Sequence, residues 1–168
     1  MTWESKPFFI KSLRSEEDRV FESVLTKRKP KKVVDLGCGV DYYLKKFVPR
    51  DTEYIGYDII FGDDVLKIYK DKINGAFAIS LGLMCLLTPS EKNIVLDKIS
   101  EGLLQFNRID TLEGQTLQFF DYLQFGIREY FVDEKELKAL LSNFQILNLF
   151  YTKASFVVEI KNDLVTTP

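Results

Sequence analysis

The sequence predicts an α/β protein: a mostly parallel sheet with helices on both faces, finished by a C-terminal antiparallel hairpin. Three observations predict it. Lys32-Val33-Val34-Asp35-Leu36 reads as a strand buried on both faces and runs directly into the loop Gly37-Cys38-Gly39-Val40-Asp41. Apolar strand segments then alternate with capped helical segments, which is the pattern of a parallel sheet covered on both sides. Last, Gln145 to Tyr151 and Ser155 to Lys161 are two strands joined through a tight Thr152-Lys153 connection, which is a hairpin.

Composition sets the limits. A chain of 168 residues can bury a real core, and 1–168 reads as a single domain with an N-terminal arm over 1–14 and a loose tail over 162–168. Hydrophobic content of 46% with 14% aromatic residues argues for a compact globule and against disorder. A net charge of −2 gives no bulk attraction to nucleic acid or to an anionic membrane. The local exception is a basic cluster over 27–32 (Lys27, Arg28, Lys29, Lys31, Lys32), which suits a helix C-terminus and solvated linker or, alternatively, a phosphate or RNA contact. No apolar run approaches the length of a membrane span, and the start of the chain lacks the form of a signal peptide. With two cysteines and no histidine, histidine-dependent nucleophilic catalysis is excluded and the common zinc sites lack ligands. A reduced, cytoplasmic setting is the expectation.

In chain order, the N-terminal arm carries Trp3, Phe8, Phe9, Ile10 and Leu13, and reads as packing on the core or as a flap. Ser15 can cap a helix whose first turn holds Glu16, Glu17 and Asp18, and whose apolar face is Val20, Phe21, Val24 and Leu25. After the glycine loop, Tyr43, Leu44, Phe47 and Val48 recur at helical spacing up to Pro49. Glu53 to Asp58 is a second strand ending in an acid. Phe61-Gly62-Asp63-Asp64-Val65 follows too soon for a full helix and strand, so one β-α unit is shortened or the Gly-Asp-Asp is a turn. Asp63 can also cap a short helix near Val65.

Gly75 to Ser80 is a buried strand. Thr88-Pro89-Ser90-Glu91 opens a helix with a capping box, with Ile94, Val95, Ile99 and Leu103 as its inner face and Gly102 as its end. Leu104 to Ile109 is a fifth strand, with Arg108 and Asp110 at its far end. Residues 111–131 are the least regular part, and their aromatic residues with Arg128 form either core or substrate wall. Asp133 caps a helix to Ser142, with Glu136 closing the box.

Spacing separates two families that use a strand–glycine loop–helix. The dinucleotide fingerprint G-x-G-x-x-G needs a third glycine where this chain has Tyr42. Val-Val-Asp-Leu-Gly-Cys-Gly, with its acid two positions before the first glycine, instead resembles motif I of the class I S-adenosylmethionine-dependent methyltransferases. The pattern departs at the last glycine, which is Asp41 here. Asp58, about twenty residues beyond the glycine loop, resembles the acid that takes the ribose hydroxyls. The resemblance spans roughly residues 15–161.

The resemblance implies a Rossmann-like methyltransferase fold and S-adenosylmethionine as cofactor. It implies cofactor contacts from Asp35, Gly37, Cys38, Gly39, Asp58, Ile59, Asp64, Val65 and Ser80. Gly37 and Gly39 would give close backbone approach, Asp35 would orient the loop or meet the cofactor's ammonium through water, Asp58 would hold the ribose, and Asp64 the adenine amine. Ser80 and Gly82 would line the methyl-transfer end. The Ser80-Leu81-Gly82-Leu83 run differs from the Asn-Pro-Pro-Tyr sequences of many enzymes that methylate base or amide nitrogens. A small-molecule acceptor is the first expectation, and a protein or RNA acceptor the second. A degenerate, methyltransferase-like binding module and another nucleotide-using enzyme are the competing classes. The acceptor, a general base and the oligomeric state are not legible.

Overall fold

The computed structural model describes residues 8–68, 70–125 and 129–162. Trp3, Arg128 and the tail beyond Asn162 lie outside these, as do the side chains of Phe8, Phe9, Ile10 and Leu13.

The sheet is built from β1 (Lys32–Leu36), β2 (Glu53–Tyr57), β3 (Phe77–Ser80), β4 (Glu101–Asn107), β5 (Gln145–Tyr151) and β6 (Ser155–Lys161). Their order is β2-β1-β3-β4-β6-β5. The first four run parallel, and β6 inserts antiparallel between β4 and β5. This is the mostly parallel, hairpin-ended sheet that the sequence predicts. The strand order reverses direction between β1 and β3, which opens a crevice at their carboxyl ends.

The period-two alternation of strand side chains feeds two apolar layers. Val33, Phe77, Ile79, Leu103 and Val157 face α1 (Phe8–Arg28), meeting Phe21, Val24 and Leu25. Val34, Ala78, Leu104, Phe106 and Val158 face the other layer, which holds Val95 and Leu96 of α3 (Pro89–Leu96) and Leu137 of α5 (Glu134–Leu140). Both predicted capping boxes form, Thr88 with Glu91 and Asp133 with Glu136.

Several local expectations are corrected. The first helix starts at Phe8, so Ser15 lies within it and does not cap it. The stretch after the glycine loop is a short 3-10 turn, Tyr43–Phe47, and not an α-helix. Tyr42 precedes it in the left-handed conformation (φ 49°, ψ 49°), which cannot propagate a right-handed helix, and Pro49 stops the chain soon after. Between β2 and β3 the described residues form no strand, only a 3-10 turn at Ile59–Phe61 and α2 (Lys70–Ile73), so the β-α unit is indeed shortened.

Gly102 does not end α3. It lies within β4, where a Cβ would stand 2.4 Å from the Ala78 carbonyl oxygen of the adjacent strand. Residues 112–125 form a regular helix, α4 (Leu112–Phe125), in place of an irregular block. The Thr111 hydroxyl accepts from the Gly114 amide at 3.1 Å and so caps its first turn.

Candidate functional site

The site is assembled at the carboxyl ends of β1, β2 and β3. Gly37 (φ 79°) and Gly39 (φ 68°) both require the left-handed region that glycine adopts without penalty. The Gly37 amide donates to the Tyr57 carbonyl at 2.8 Å, extending the β1–β2 ladder into the loop. A Cβ on Gly37 would come within 2.8 Å of Leu83 Cβ, so the glycine loop and the loop after β3 pack directly together.

Asp58 closes this loop from the β2 side. Its Oδ2 accepts from the Gly39 amide at 2.9 Å and its Oδ1 from the Ile60 amide at 3.0 Å. A carboxylate offers about four lone-pair positions, so two remain for a diol presented from the crevice. The loop residue and the acid lie 19 positions apart and meet because β1 and β2 are adjacent and in register, Leu36 opposite Tyr57.

Asp35 sits beneath the loop and is only 1% exposed. The Tyr54 hydroxyl donates to its Oδ2 at 2.6 Å. Burial pushes the carboxyl up to about 7; the Tyr54 hydrogen bond partly opposes this, and the nearby Asp58 charge adds to it. Burial, then the Asp35 and Asp58 charges, raise the Cys38 thiol to about 12. Cys38 is a small buried packing group, its Sγ 2.7 Å from where a Gly56 Cβ would be.

Ser80 ends β3 on the far side of the crevice. It is fully buried, and its hydroxyl has no hydrogen-bond partner among the described residues. The loop that follows opens at Gly82, which has open space around its Cβ position.

The remaining predicted residues are placed differently. Asp64 accepts from the Leu66 amide at 3.0 Å and pairs with Lys67 at 3.1 Å, and these hydrogen bonds hold its carboxyl below the usual range. It caps the turn over 64–67. Val65 turns into the core, and Lys98 Nζ donates to its carbonyl at 2.9 Å. Ile59 is 76% exposed on the rim. Asp63, like Gly62, belongs to the turn that the Asp58 carbonyl closes. The structure thus brings together Asp35, Gly37, Cys38, Gly39 and Asp58 around one loop, places Ser80 at the end of the adjacent β3, and leaves Ile59, Asp64 and Val65 on the segment beyond.

Sequence reasoning missed a buried polar chain beside β3. The Gly82 amide donates to Gln105 Oε1 at 3.0 Å, Gln105 Nε2 donates to Asn107 Oδ1, and Asn107 Nδ2 donates to Glu129 Oε2 at 2.9 Å. The signal was present: Gln105 and Asn107 interrupt an otherwise apolar strand at its carboxyl end, and a buried polar residue there needs a partner. The neighbouring Tyr130 amide donates to the Cys85 carbonyl at 2.6 Å, tying residues 129–131 to the loop after β3.

The residues present fit a nucleoside cofactor with an amino-acid tail. Two left-handed glycines permit close approach, Asp58 keeps free acceptor capacity, and Ser80 offers an unused hydroxyl. One feature opposes the fit. Asp41 Oδ1 stands 3.4 Å from the Cβ position of Gly39, placing a carboxylate over the loop crest.

No protein-family model matches the sequence, and no curated protein matches it. Solved structures do match in fold. Magnesium protoporphyrin IX methyltransferase from Synechocystis PCC 6803, crystallised with S-adenosylhomocysteine, aligns over 95% of this chain and 89% of its own, with a TM-score of 0.64 and 18% identity. A SAM-dependent methyltransferase from Archaeoglobus fulgidus aligns over 86% of this chain and 94% of its own, at TM-score 0.60 and 14% identity. Human N-acetylserotonin methyltransferase, in complex with SAM, aligns over 86% of this chain and 51% of its own, at TM-score 0.65 and 13% identity. The fold is that of the class I methyltransferases. No described helix is long and apolar enough to cross a membrane.

Proposed function

We propose that this protein is a single-domain S-adenosylmethionine-dependent methyltransferase acting on a small-molecule acceptor, in the cytoplasm. The observation that carries the reading is the hydrogen bond from the Gly39 amide to Asp58, which sets the glycine loop and the β2 acid around one crevice. The bound cofactor would supply a methyl already activated on a sulfonium, so the protein's task is alignment. Gly37 and Gly39 admit the cofactor's backbone-facing edge. Asp58 accepts from the ribose hydroxyls while keeping the Gly39 amide. Asp35 fixes the floor of the loop through Tyr54 and faces the ammonium side, and Ser80 and Gly82 border the methyl-transfer end.

Calorimetric titration with S-adenosylhomocysteine tests this. Micromolar binding is expected for the wild type, weakened by about 2 kcal/mol, or roughly thirtyfold, in Asp58→Ala. Absence of heat at millimolar ligand sinks the enzyme reading. Asp41 over the loop crest favours one second reading, a methyltransferase-like binding module without cofactor, to which that outcome would turn the search.

A further inference from the structure

Tyr42 is held in a costly conformation. Its φ of 49° is one of two positive values at non-glycine residues among those described. Such backbone persists only where surrounding structure enforces it, and it clusters at ligand sites.

The enforcement is visible. The Tyr42 ring stacks on Phe61 with centroids 5.4 Å apart and planes 10° from parallel, and meets Tyr54 edge-on at 6.3 Å. Room for the ring comes from Gly56, where a Cβ would stand 2.9 Å from Tyr42 Cε1. Tyr54 in turn bonds Asp35. The series Phe61–Tyr42–Tyr54 therefore links the turn that Asp58 caps to the acid beneath the glycine loop. Two of its members stay open, Tyr42 at 38% and Phe61 at 46% exposure, so the stack is not spent on filling the core.

We infer that Tyr42 is a positioning residue of the cofactor site: by stacking on Phe61 it clamps the 58–62 turn to the glycine loop and keeps the Asp58 carboxylate and the Gly39 amide in register for a ribose diol. This rests on the cofactor reading proposed above. The clamp replaces two things that the loop lacks, a helix following it and a last glycine.

The test compares wild type with Tyr42→Gly, Tyr42→Phe and Phe61→Ala, reading S-adenosylhomocysteine affinity by calorimetry, thermal midpoint, and exchange of the Gly39 amide by NMR without ligand. Glycine is at home at φ 49°, so Tyr42→Gly relieves strain as it removes the ring. The expected result is affinity weakened about fivefold to tenfold in Tyr42→Gly and Phe61→Ala, with no comparable drop in the midpoint. Gly39 exchange should quicken in both variants, and Tyr42→Phe should match wild type. If Tyr42→Gly fails to fold, Phe61→Ala, whose ring is half exposed, carries the same expectation. Wild-type affinity and Gly39 exchange in both ring-removing variants overturn the clamp alone. A wild type that binds no ligand sinks the cofactor reading, and Gly39 exchange still decides whether the clamp exists.

Discussion

The two sides of the sheet treat buried polar groups in opposite ways. On the β4–β6–β5 side they are saturated: Gln105 and Asn107 bond each other and their neighbours, Ser155 donates to Glu17 at 2.6 Å, and Glu159 holds both Arg28 and Asn148. On the β2–β1–β3 side Ser80 has no hydrogen-bond partner among the described residues, and Asp35 is pushed up by burial with Tyr54 as its hydrogen-bond donor. Val40, Ile59 and Ile60 stand exposed on the loops above. A saturated region gains stability, and an unsaturated one keeps bonding capacity for something that arrives later. On the reading proposed above, the ligand side is the one with the partnerless Ser80 hydroxyl.

Gln105→Leu should break the saturated side most severely. It strands the Gly82 amide and the Asn107 carbonyl, and unfolding in urea should show a loss of about 2–4 kcal/mol. Next is Asp35→Asn. Asp35 titrates near 7 in the folded protein, against an ordinary value of 3.8. From pH 4 to 7 the unfolded chain gives up a proton that the folded chain keeps, so stability falls as pH rises and levels off above 7. The asparagine variant should lose this slope and be more stable than wild type at pH 8 by about 4 kcal/mol, with the gain vanishing near pH 4. A wild-type stability that rose between pH 5 and 7 relative to the variant would contradict the assignment.

One chemical edit at two buried serines sharpens the contrast further. Ser155→Ala removes a donor to the buried Glu17 and should cost about 1.5–2 kcal/mol, whereas Ser80→Ala removes a hydroxyl with no partner among the described residues and should stay within about 0.5 kcal/mol. The smallest expected effect is at the loop crest. Asp41→Gly removes an exposed carboxylate that, on the proposed cofactor reading, would face the cofactor's own carboxylate, and should tighten S-adenosylhomocysteine about threefold, less at high salt.

What was legible in the sequence was what is local. Asp35, Gly37 and Gly39 lie within one strand and turn, and Asp58 follows at a spacing that strand, loop and strand impose. Capping boxes are likewise read within a single turn, and both form. The misread elements depended on neighbours distant in sequence. Gly102 looked like a helix end because glycine commonly marks one, but the approach of the Ala78 carbonyl requires it. Tyr43 to Val48 has helical spacing, yet the Tyr42 ring, held by Gly56 and Phe61, sets a backbone that forbids the helix. Glu129 joins Gln105 and Asn107 through a contact 22 residues away, for which no periodicity exists.

The tie between the first helix and the last hairpin also constrains the order of folding. Glu17 meets Ser155 across 138 positions and Arg28 meets Glu159 across 131, and β6 fills an interior place in the sheet. Such separations carry a high loop-closure cost and slow the search. During synthesis α1 is made before the hairpin, and its buried Glu17, paired with Arg14 in the same helix, lacks the Ser155 donor until the β5–β6 turn has been made. Every earlier intermediate leaves β4 with an unpaired edge. The nascent chain is therefore most open to mispairing just before the last strand arrives, and substitutions in β6 should lower yield in cells by more than their effect on the folded protein accounts for.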